Sequence, residues 1–352
     1  MTRIDWLILK RLLGRIGLTV LLAFGMVVLV ESLDSWRFRH LSAIGGPLLG
    51  IVAMVASAAQ WTLSTLPVTL LLGCIIGLLD LNARRQLTVI RASGISVWRT
   101  LRAPLVVILV LGAGISVIGD TAIVTLMRTL SLNLPQAGEN GALWLEQRAG
   151  KDTYVIHALH PLAEGTVLRD VTVFLPRDLG GPRLRAPVAE LTPGAWRLAE
   201  ALRLDADEPA RIVNNVELLT TSTAGDLRAR LASPAQLTFF ELLGIESMRV
   251  ADPALRSGVQ MRLLRLLAMP LALAGSLLIA FAFTAGYRRT NKYGGTVLYG
   301  IVLGFVVYVV TETASMAGAA GIVQPAFAAF APALVAMIVG TTVLLYKEDG
   351  RY

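Results

Sequence analysis

The chain has 352 residues, of which 55% are hydrophobic and only 16% are charged, and its mean hydropathy is +0.66. This composition excludes an ordinary soluble globular domain and predicts a membrane protein. The net charge of +8 does not predict nucleic-acid binding, because the basic residues cluster at the ends of apolar runs, where membrane topology explains them. Cys74 is the only cysteine, so an intrachain disulfide and a cysteine-type metal site are excluded, and we predict a packed core thiol.

Three apolar runs in the first part of the chain predict the first three membrane spans. Residues 16–30 follow a basic segment, but they lack a small-residue cleavage site and end in charges, so they predict a spanning helix rather than a signal peptide. The apolar run 48–81 is too long for one span. A span of about 20 residues counted back from its end covers 62–81 and leaves 48–61 as an interfacial helix. Residues 101–127 predict the third span.

The character of the sequence changes between residues 128 and 256, where no apolar run is long enough to cross a bilayer. Alternating residues predict strands, and clusters of Gly, Pro and Asp between them predict turns. Three apolar strand faces are predicted: Val171, Val173 and Leu175 share the first, Trp196 and Leu198 the second, and Leu202 and Leu204 the third, with Arg203 and Asp205 opposite. We therefore predict a small all-β domain, either a sandwich or an open barrel, followed by a helix at 237–245.

Three further apolar runs, at 263–283, 296–311 and 325–346, predict the last three spans. The short loops on the predicted outer side hold only two basic residues, Arg37 and Arg39. The predicted inner segments hold four, five, three and two basic residues, and these segments are 1–15, 82–102, 286–293 and 347–352. The positive-inside rule therefore predicts six spans with both termini cytoplasmic and the β domain on the other side of the membrane.

The predicted fold is an α-helical membrane protein with six transmembrane helices and an all-β domain inserted between the third and fourth. The predicted boundaries are 1–127 for the first membrane half, 128–258 for the β domain and 259–352 for the second membrane half.

Motifs for catalysis are missing from the sequence. The only Gly-Lys pair, Gly150 and Lys151, lacks the earlier glycine and the following Ser or Thr of a P-loop. The three histidines have neither metal spacing nor a nucleophile partner. We therefore predict a non-catalytic chain without a metal or a cofactor of its own. The acidic residues that would mark a proton pathway fall at or near predicted span ends, and they are Glu31, Asp80, Asp120 and Glu312.

Residues 83–96, here called the docking segment, form a short basic stretch between two spans. Helix formers run up to Gly94, where a helix would need a left-handed residue, and Leu87 and Ile90 share one face. A short helix with one apolar edge and a basic rim predicts a docking site for a partner, whereas the alternative is an ordinary basic cytoplasmic loop. The predicted contact residues are Arg84, Arg85, Gln86, Leu87, Ile90 and Arg91.

Arg37 and Arg39 are basic residues on the predicted outer side, against the topological rule. Their position just above the first span suits an anionic lipid head group, and the alternative is that they pair with Glu31 or Asp34.

The order of three spans, a β insert and three more spans, with a short cytoplasmic helix after the second, resembles the LptF/LptG (YjgP/YjgQ) family of lipopolysaccharide export permeases. The resemblance covers essentially the whole chain. Its best stretches are 70–96, 286–305 and 321–332, with further likeness at 143–156 and 237–243. Within the family the chain resembles LptG more than LptF, mainly at Gly286, Arg289, Gly294 and the last span.

The resemblance implies a permease subunit of an ABC transporter that extracts lipopolysaccharide from the outer leaflet of the inner membrane. The lipid would enter a cavity between two permeases, lined by the first and fifth spans of each, where Gly300 and Gly304 lie on the fifth span. It would then pass to periplasmic β-jellyroll domains that form a bridge toward the outer membrane. The implied partners are an LptF-like paralogous permease, an LptB-like ATPase dimer that binds ATP and Mg²⁺, and a single-span LptC-like protein.

Within that resemblance, residues 83–93 would be the coupling helix seated in a groove of the ATPase. Many family members carry an acidic residue where this chain has Gln86. The resemblance therefore implies that a charge-assisted contact with the ATPase is weaker here, or that Arg84, Arg85 or Arg91 makes it instead. Two other classes of function stay open on the residues alone: a structural envelope protein that presents its β domain, and a secondary transporter.

Overall fold

The computed structural model describes residues 3–33, 35–86, 89, 94, 96–132, 143–149, 152–162, 166–175, 182–205, 209–224, 227, 237–247, 253–284 and 293–348. The chain divides into two compact units. The first consists of Met1–Asn133, Thr238–Phe240 and Gln260–Tyr352, and it is helical. The second consists of Leu134–Leu237 and Glu241–Val259, and it contains the β-sheet.

Eight α-helices are present in the described part of the chain. They are α1 (Arg3–Ser32), α2 (Ser35–Ala83), α3 (Val97–Gly114), α4 (Asp120–Leu132), α5 (Phe239–Ser247), α6 (Pro253–Thr284), α7 (Tyr293–Ala319) and α8 (Pro325–Glu348). Six segments are long and apolar enough to cross a membrane, namely Trp6–Ser32, Gly46–Ala83, Val97–Thr129, Arg256–Thr284, Val297–Ala319 and Pro325–Tyr346. The predicted fold class, with three spans on each side of a β domain, is confirmed.

Helix α2 corrects the prediction of a separate interfacial helix at 48–61. The backbone leaves the helical conformation only at Gly46 (φ 80°, ψ 169°), and the helix is then continuous to its end. Hydroxyl groups in the moderately polar part donate to carbonyls one turn back, as Thr62 Oγ1 does to Ala58 O at 2.8 Å. Because these polar groups are satisfied inside the helix, they do not interrupt it.

A π-helical turn, Ile115–Gly119, joins α3 to α4. One extra residue in a turn rotates the faces of the helix that follows. Asp120 comes directly after this turn and is 4% exposed, so the third span carries a carboxylate inside the helical unit.

The core of the helical unit lies around α2 and α6. Cys74 is 0% exposed within it, as predicted for a packed thiol. Helices α1 and α2 pack closely at two glycines that are four residues apart. A Cβ on Gly73 would lie 2.8 Å from the Cα of Ile16, and one on Gly77 would lie 3.0 Å from Cδ1 of Leu12. Small residues at this spacing are the usual means by which membrane helices come into backbone contact.

The β unit is a single antiparallel sheet in which each strand pairs with its neighbours in sequence. Its strands are β1 (Leu143–Ala149), β2 (Asp152–Leu162), β3 (Val167–Phe174), β4 (Arg183–Thr192), β5 (Ala195–Leu204) and β6 (Arg211–Leu219). The Tyr154 hydroxyl on β2 donates to Leu219 O at 2.8 Å, and Gln147 on β1 accepts from the hydroxyls of Thr220 and Ser222. The first two strands thus reach the end of the last one, and the curled sheet is closer to an open barrel than to a sandwich.

The inward face of this sheet changes phase along one line across β3 to β6. Elsewhere on these strands one outward residue separates two inward side chains, but at this line two outward residues do. On β3 and β6 one of the residues at the line has a left-handed backbone, and these are Asp170 (φ 52°) and Asn215 (φ 58°). The inward residues on its two sides are Leu168 and Val171 on β3, Ala189 and Ala186 on β4, Leu198 and Ala201 on β5, and Val216 and Val213 on β6. Such a line bends a sheet and helps it to curl.

This change of phase decides which predicted strand faces are buried. The predicted faces on β3 (Val171 and Val173) and at the start of β5 (Trp196 and Leu198) are the buried ones, since these four side chains are 0% exposed. Leu202 and Leu204 also share a face of β5, but it is not the buried one, because Ala201 is the buried residue beyond the line and Leu204 is 39% exposed. The predicted helix at 237–245 is present as α5, two residues further along.

Candidate functional site

The first and fifth candidate spans have the least buried surfaces of the six. Only 6% of the most apolar window of the first span and 11% of that of the fifth are buried, against 72% for the fourth. Large apolar side chains are exposed on both helices. They include Leu21, Leu22 and Met26 on α1 and Ile301, Val302 and Phe305 on α7. The resemblance predicts that these two spans line a lipid cavity, and that stays a prediction.

Gly300 and Gly304 lie where α7 packs against α2. A Cβ on Gly300 would lie 2.5 Å from Cδ1 of Ile75, and one on Gly304 would lie 2.9 Å from Cγ1 of Val68. Both glycines therefore permit close approach of the two helices, as their size suggests. Their predicted contact with lipopolysaccharide stays a prediction.

Arg37 and Arg39 lie in the first part of α2, where the structure describes the backbone but not the side chains. Their predicted contact with a lipid head group, and the alternative pairing with acidic neighbours, stay predictions.

The start of the docking segment is tied to α1 and α2 by charged and polar side chains. Asp80 accepts from two arginines, Arg15 on α1 at 3.3 Å and Arg84 just beyond α2 at 3.4 Å. Arg11 on α1 donates to the side-chain oxygen of Gln86 at 2.5 Å. The basic residues at the start of α1, which the sequence assigned to topology alone, thus also hold the first residues of the docking segment.

The docking segment begins with a turn at Arg84 and Arg85, and Arg85 is left-handed (φ 57°). Gly94 has the positive φ of 80° that its predicted capping position requires. Three of the predicted contact residues, Leu87, Ile90 and Arg91, lie outside the described residues.

Two ion pairs at one end of the helical unit were not predicted from the sequence. Arg262 Nη2 on α6 lies 2.9 Å from Asp120 Oδ1, and Arg265 Nη2 lies 3.0 Å from Oε2 of Glu312 on α7. The available signal was the spacing of the arginines, because two cations three residues apart in an apolar run share a helix face. The predicted fourth span begins at Leu263 and so leaves Arg262 outside it.

These pairs bear on the proton-pathway alternative. Asp80, Asp120 and Glu312 each have an arginine partner. Ionisable residues inside membrane spans usually pair with one another in this way, so the pairing by itself does not mark a proton carrier. The structure therefore gives the secondary-transporter alternative no further support.

A protein-family model described as lipopolysaccharide export system permease LptF/LptG matches residues 6–347. A comparison with individually curated proteins gave no match. The family model includes LptF and LptG together, so the closer resemblance to LptG stays a prediction. The matched range contains all six candidate spans and the whole sheet, and the chain therefore belongs to the LptF/LptG family of lipopolysaccharide export system permeases.

Proposed function

We propose that this chain is one permease subunit of an ABC transporter that extracts lipopolysaccharide from the outer leaflet of the inner membrane. The observation that carries the proposal is the exposed apolar surface of α1 and α7 in a chain of this family. A paralogous, LptF-like permease facing these two helices would enclose a cavity between apolar walls. Such a cavity is needed because each CH₂ group moved into water costs roughly 0.8 kcal/mol.

Energy is supplied by a separate ATPase dimer, of the LptB kind, that seats the docking segment. The sequence of this chain contains no P-loop, so the nucleotide and its Mg²⁺ belong to that partner. The basic residues of the segment and its apolar edge, Leu87 and Ile90, are suited to a groove with an acidic rim.

Movement of the docking segment would reach the cavity through α1. The contacts that support this are the ion pair of Arg15 with Asp80, the hydrogen bond of Arg11 with Gln86, and the close packing of α1 against α2 at Gly73. A displacement of the segment by the ATPase would then be passed to α1 as a rigid element, and α1 forms one wall of the cavity.

The distribution of basic residues supports cytoplasmic termini and a periplasmic β domain. In this arrangement the extracted lipid passes to the curled sheet. It then continues along a bridge of similar domains, to which a single-span LptC-like partner contributes.

A photocrosslinking experiment in cells tests the proposed cavity. A photoreactive amino acid is placed at Leu22 on α1, at Phe305 on α7, or at Val106 on α3 as the control, since these side chains are 65%, 64% and 59% exposed. We expect crosslinks to lipopolysaccharide at Leu22 and Phe305 and a much weaker signal at Val106. Equal labelling at all three positions would show that the substrate does not distinguish these faces and would count against the proposal.

A further inference from the structure

The helical unit contains a pocket with walls from α2, α6, α7 and α8, to which α4 adds Asp120. Helix α2 lines it from Gln60 to Pro67, α8 from Ala329 to Ala336, and α6 from Arg262 to Ser276, in each case with residues spaced three or four apart. At a rise of 1.5 Å per residue the stretch of α6 is roughly 21 Å long, which exceeds the roughly 15 Å hydrocarbon thickness of one leaflet. This pocket lies among the helices of one permease, whereas the proposed cavity lies between two permeases, although α7 contributes Val307 and Thr311 to the pocket as well.

The two ends of the pocket differ in chemistry. Arg262, Arg265 and Asp120 lie at the end where α6 begins, next to Gln60 and Ser64. The rest is lined mainly by small or flexible apolar residues, among them Met269, Ala272 and Ala333. A polar end and a long apolar remainder match an amphiphile with a charged head and one extended chain.

The arginines at the polar end keep donors that the ion pairs do not use. Arg262 bonds Asp120 through Nη2 alone, at 2.9 and 3.3 Å, and its Nε is buried without a partner among the described residues. Arg265 bonds Glu312 through Nη2. A guanidinium group has five N–H donors in a planar fork that fits phosphate oxygens. The two carboxylates hold the arginines in place when no ligand is bound, and they also limit how tightly an anion binds.

We propose that this pocket binds one acyl chain of a phosphate-bearing lipid, with the phosphate on Arg262 and Arg265 and the chain along α6 toward Ser276. Lipopolysaccharide and an anionic membrane glycerophospholipid share this chemistry, and either is a source of the ligand. The binding requires neither ATP hydrolysis nor export, so its failure would leave the proposed function untouched.

The test uses the complex purified from its native membrane and placed in phosphatidylcholine nanodiscs that contain phosphatidylglycerol, lipid A or both. Native mass spectrometry then measures the lipid retained on this chain. Ala272→Phe fills the apolar part of the pocket. Ala331→Phe on α8 is the matched control, because Ala331 is also partly buried but does not line the pocket. The double change Arg265→Gln with Glu312→Gln removes one guanidinium without changing the net charge.

We expect the wild type and Ala331→Phe to retain one anionic lipid in preference to phosphatidylcholine, and Ala272→Phe to lose it. The Arg265 and Glu312 double variant is expected to lose roughly tenfold in preference for the anionic lipid, which corresponds to one charge-assisted contact of about 1.4 kcal/mol. With both lipids present, retention of lipid A identifies the transported substrate as the occupant, and retention of phosphatidylglycerol identifies a membrane lipid. Equal retention in the wild type and Ala272→Phe, or no preference over phosphatidylcholine in the wild type, would overturn the proposal.

Discussion

Asp80 joins two parts of the chain that the proposed mechanism must move together. Its carboxylate lies within 3.4 Å of both Arg15 and Arg84, and it is partly exposed, as are both arginines. Exposed ion pairs contribute only about 0–1 kcal/mol to stability, because water screens them. We therefore infer that Asp80 matters less for stability than for holding the start of the docking segment in position.

Replacing Asp80 by Asn should reduce lipopolysaccharide export several-fold while the protein remains folded and inserted, since the segment loses its fixed position relative to α1. Export is measured as the arrival of labelled lipopolysaccharide in the outer membrane, and folding as the melting temperature of the purified protein. The matched control is Asp205→Asn, which removes an exposed ion pair with Arg203 in the β unit. An export defect no larger than that of the control would show that Asp80 has no part in coupling.

The hydroxyl of Tyr154 reports whether β2 and the end of β6 are in contact, because it donates to Leu219 O. Burial raises the pKa of Tyr154 to about 12, above the ordinary value of about 10, and the protonated hydroxyl donates to Leu219 O. Because the folded-state pKa is the higher one, this group contributes its full stability below pH 10 and loses it as the pH rises toward 12. At neutral pH the bond is fully present.

The change Tyr154→Phe should lower the stability of the β unit by about 1 kcal/mol, the usual net value of one hydrogen bond. Tyrosinate absorbance of the wild type minus that of the variant isolates the titration of this one residue. We predict a midpoint near pH 12, whereas a midpoint near pH 10 would mean that the hydroxyl is exposed and the sheet is open at this end.

At the scale of helices, α7 packs against α2 so closely that a larger side chain does not fit between them. Gly304 lies opposite Val68 and Leu71, and Gly300 lies opposite Ile75. A larger side chain at either position must push apart a cavity helix and a core helix, because the interior is already close-packed.

The change Gly304→Leu should impair export strongly without preventing membrane insertion, because its Cβ alone would lie 2.9 Å from Cγ1 of Val68. Gly295→Leu is the control, since a Cβ on Gly295 meets no atom within 4 Å. Membrane fractionation reports insertion, and the export assay reports function. Normal export in the Gly304 variant would remove the α2–α7 contact from the mechanism.

What the sequence could predict at this scale follows from the range of the interactions. Periodicity and charge are local, so they place six spans, the β insert and the left-handed Gly94. The continuity of α2 was missed because averaged polarity does not reveal hydroxyls that bond within the helix, such as Thr62. The ion pair of Arg262 with Asp120 joins residues 142 positions apart, and no local pattern predicts which of the acidic residues an arginine in the fourth span will meet.

The β unit shows the same limit. Alternation predicts which residues of β3 and of β5 share a face. It does not reveal that the buried face changes beyond Leu198, because the change of phase depends on neighbouring strands that bend along one shared line. Two of its markers, Asp170 and Asn215, adopt positive φ without being glycine, which the sequence alone signals only weakly.

At the scale of the whole molecule, the proposed function makes the six-span helical unit, the basic docking segment and the curled β unit parts of one permease subunit. Because the sequence contains no P-loop, the proposed export requires a partner that hydrolyses ATP. The central claim is therefore the association with an ATPase through the docking segment.

The most direct measurement is to solubilise the complex gently from its native membrane and identify the proteins that co-purify with this chain. The comparison is between the wild type, the double variant Leu87→Asp with Arg91→Glu, and Arg102→Glu as a control on the exposed surface of α3. We predict that an ATPase and a second permease co-purify with the wild type and the control, and that the double variant loses the ATPase and keeps the permease. A wild-type preparation that carries no ATPase, under conditions that preserve other membrane complexes, would contradict the proposed function and favour an envelope protein that only presents its β domain.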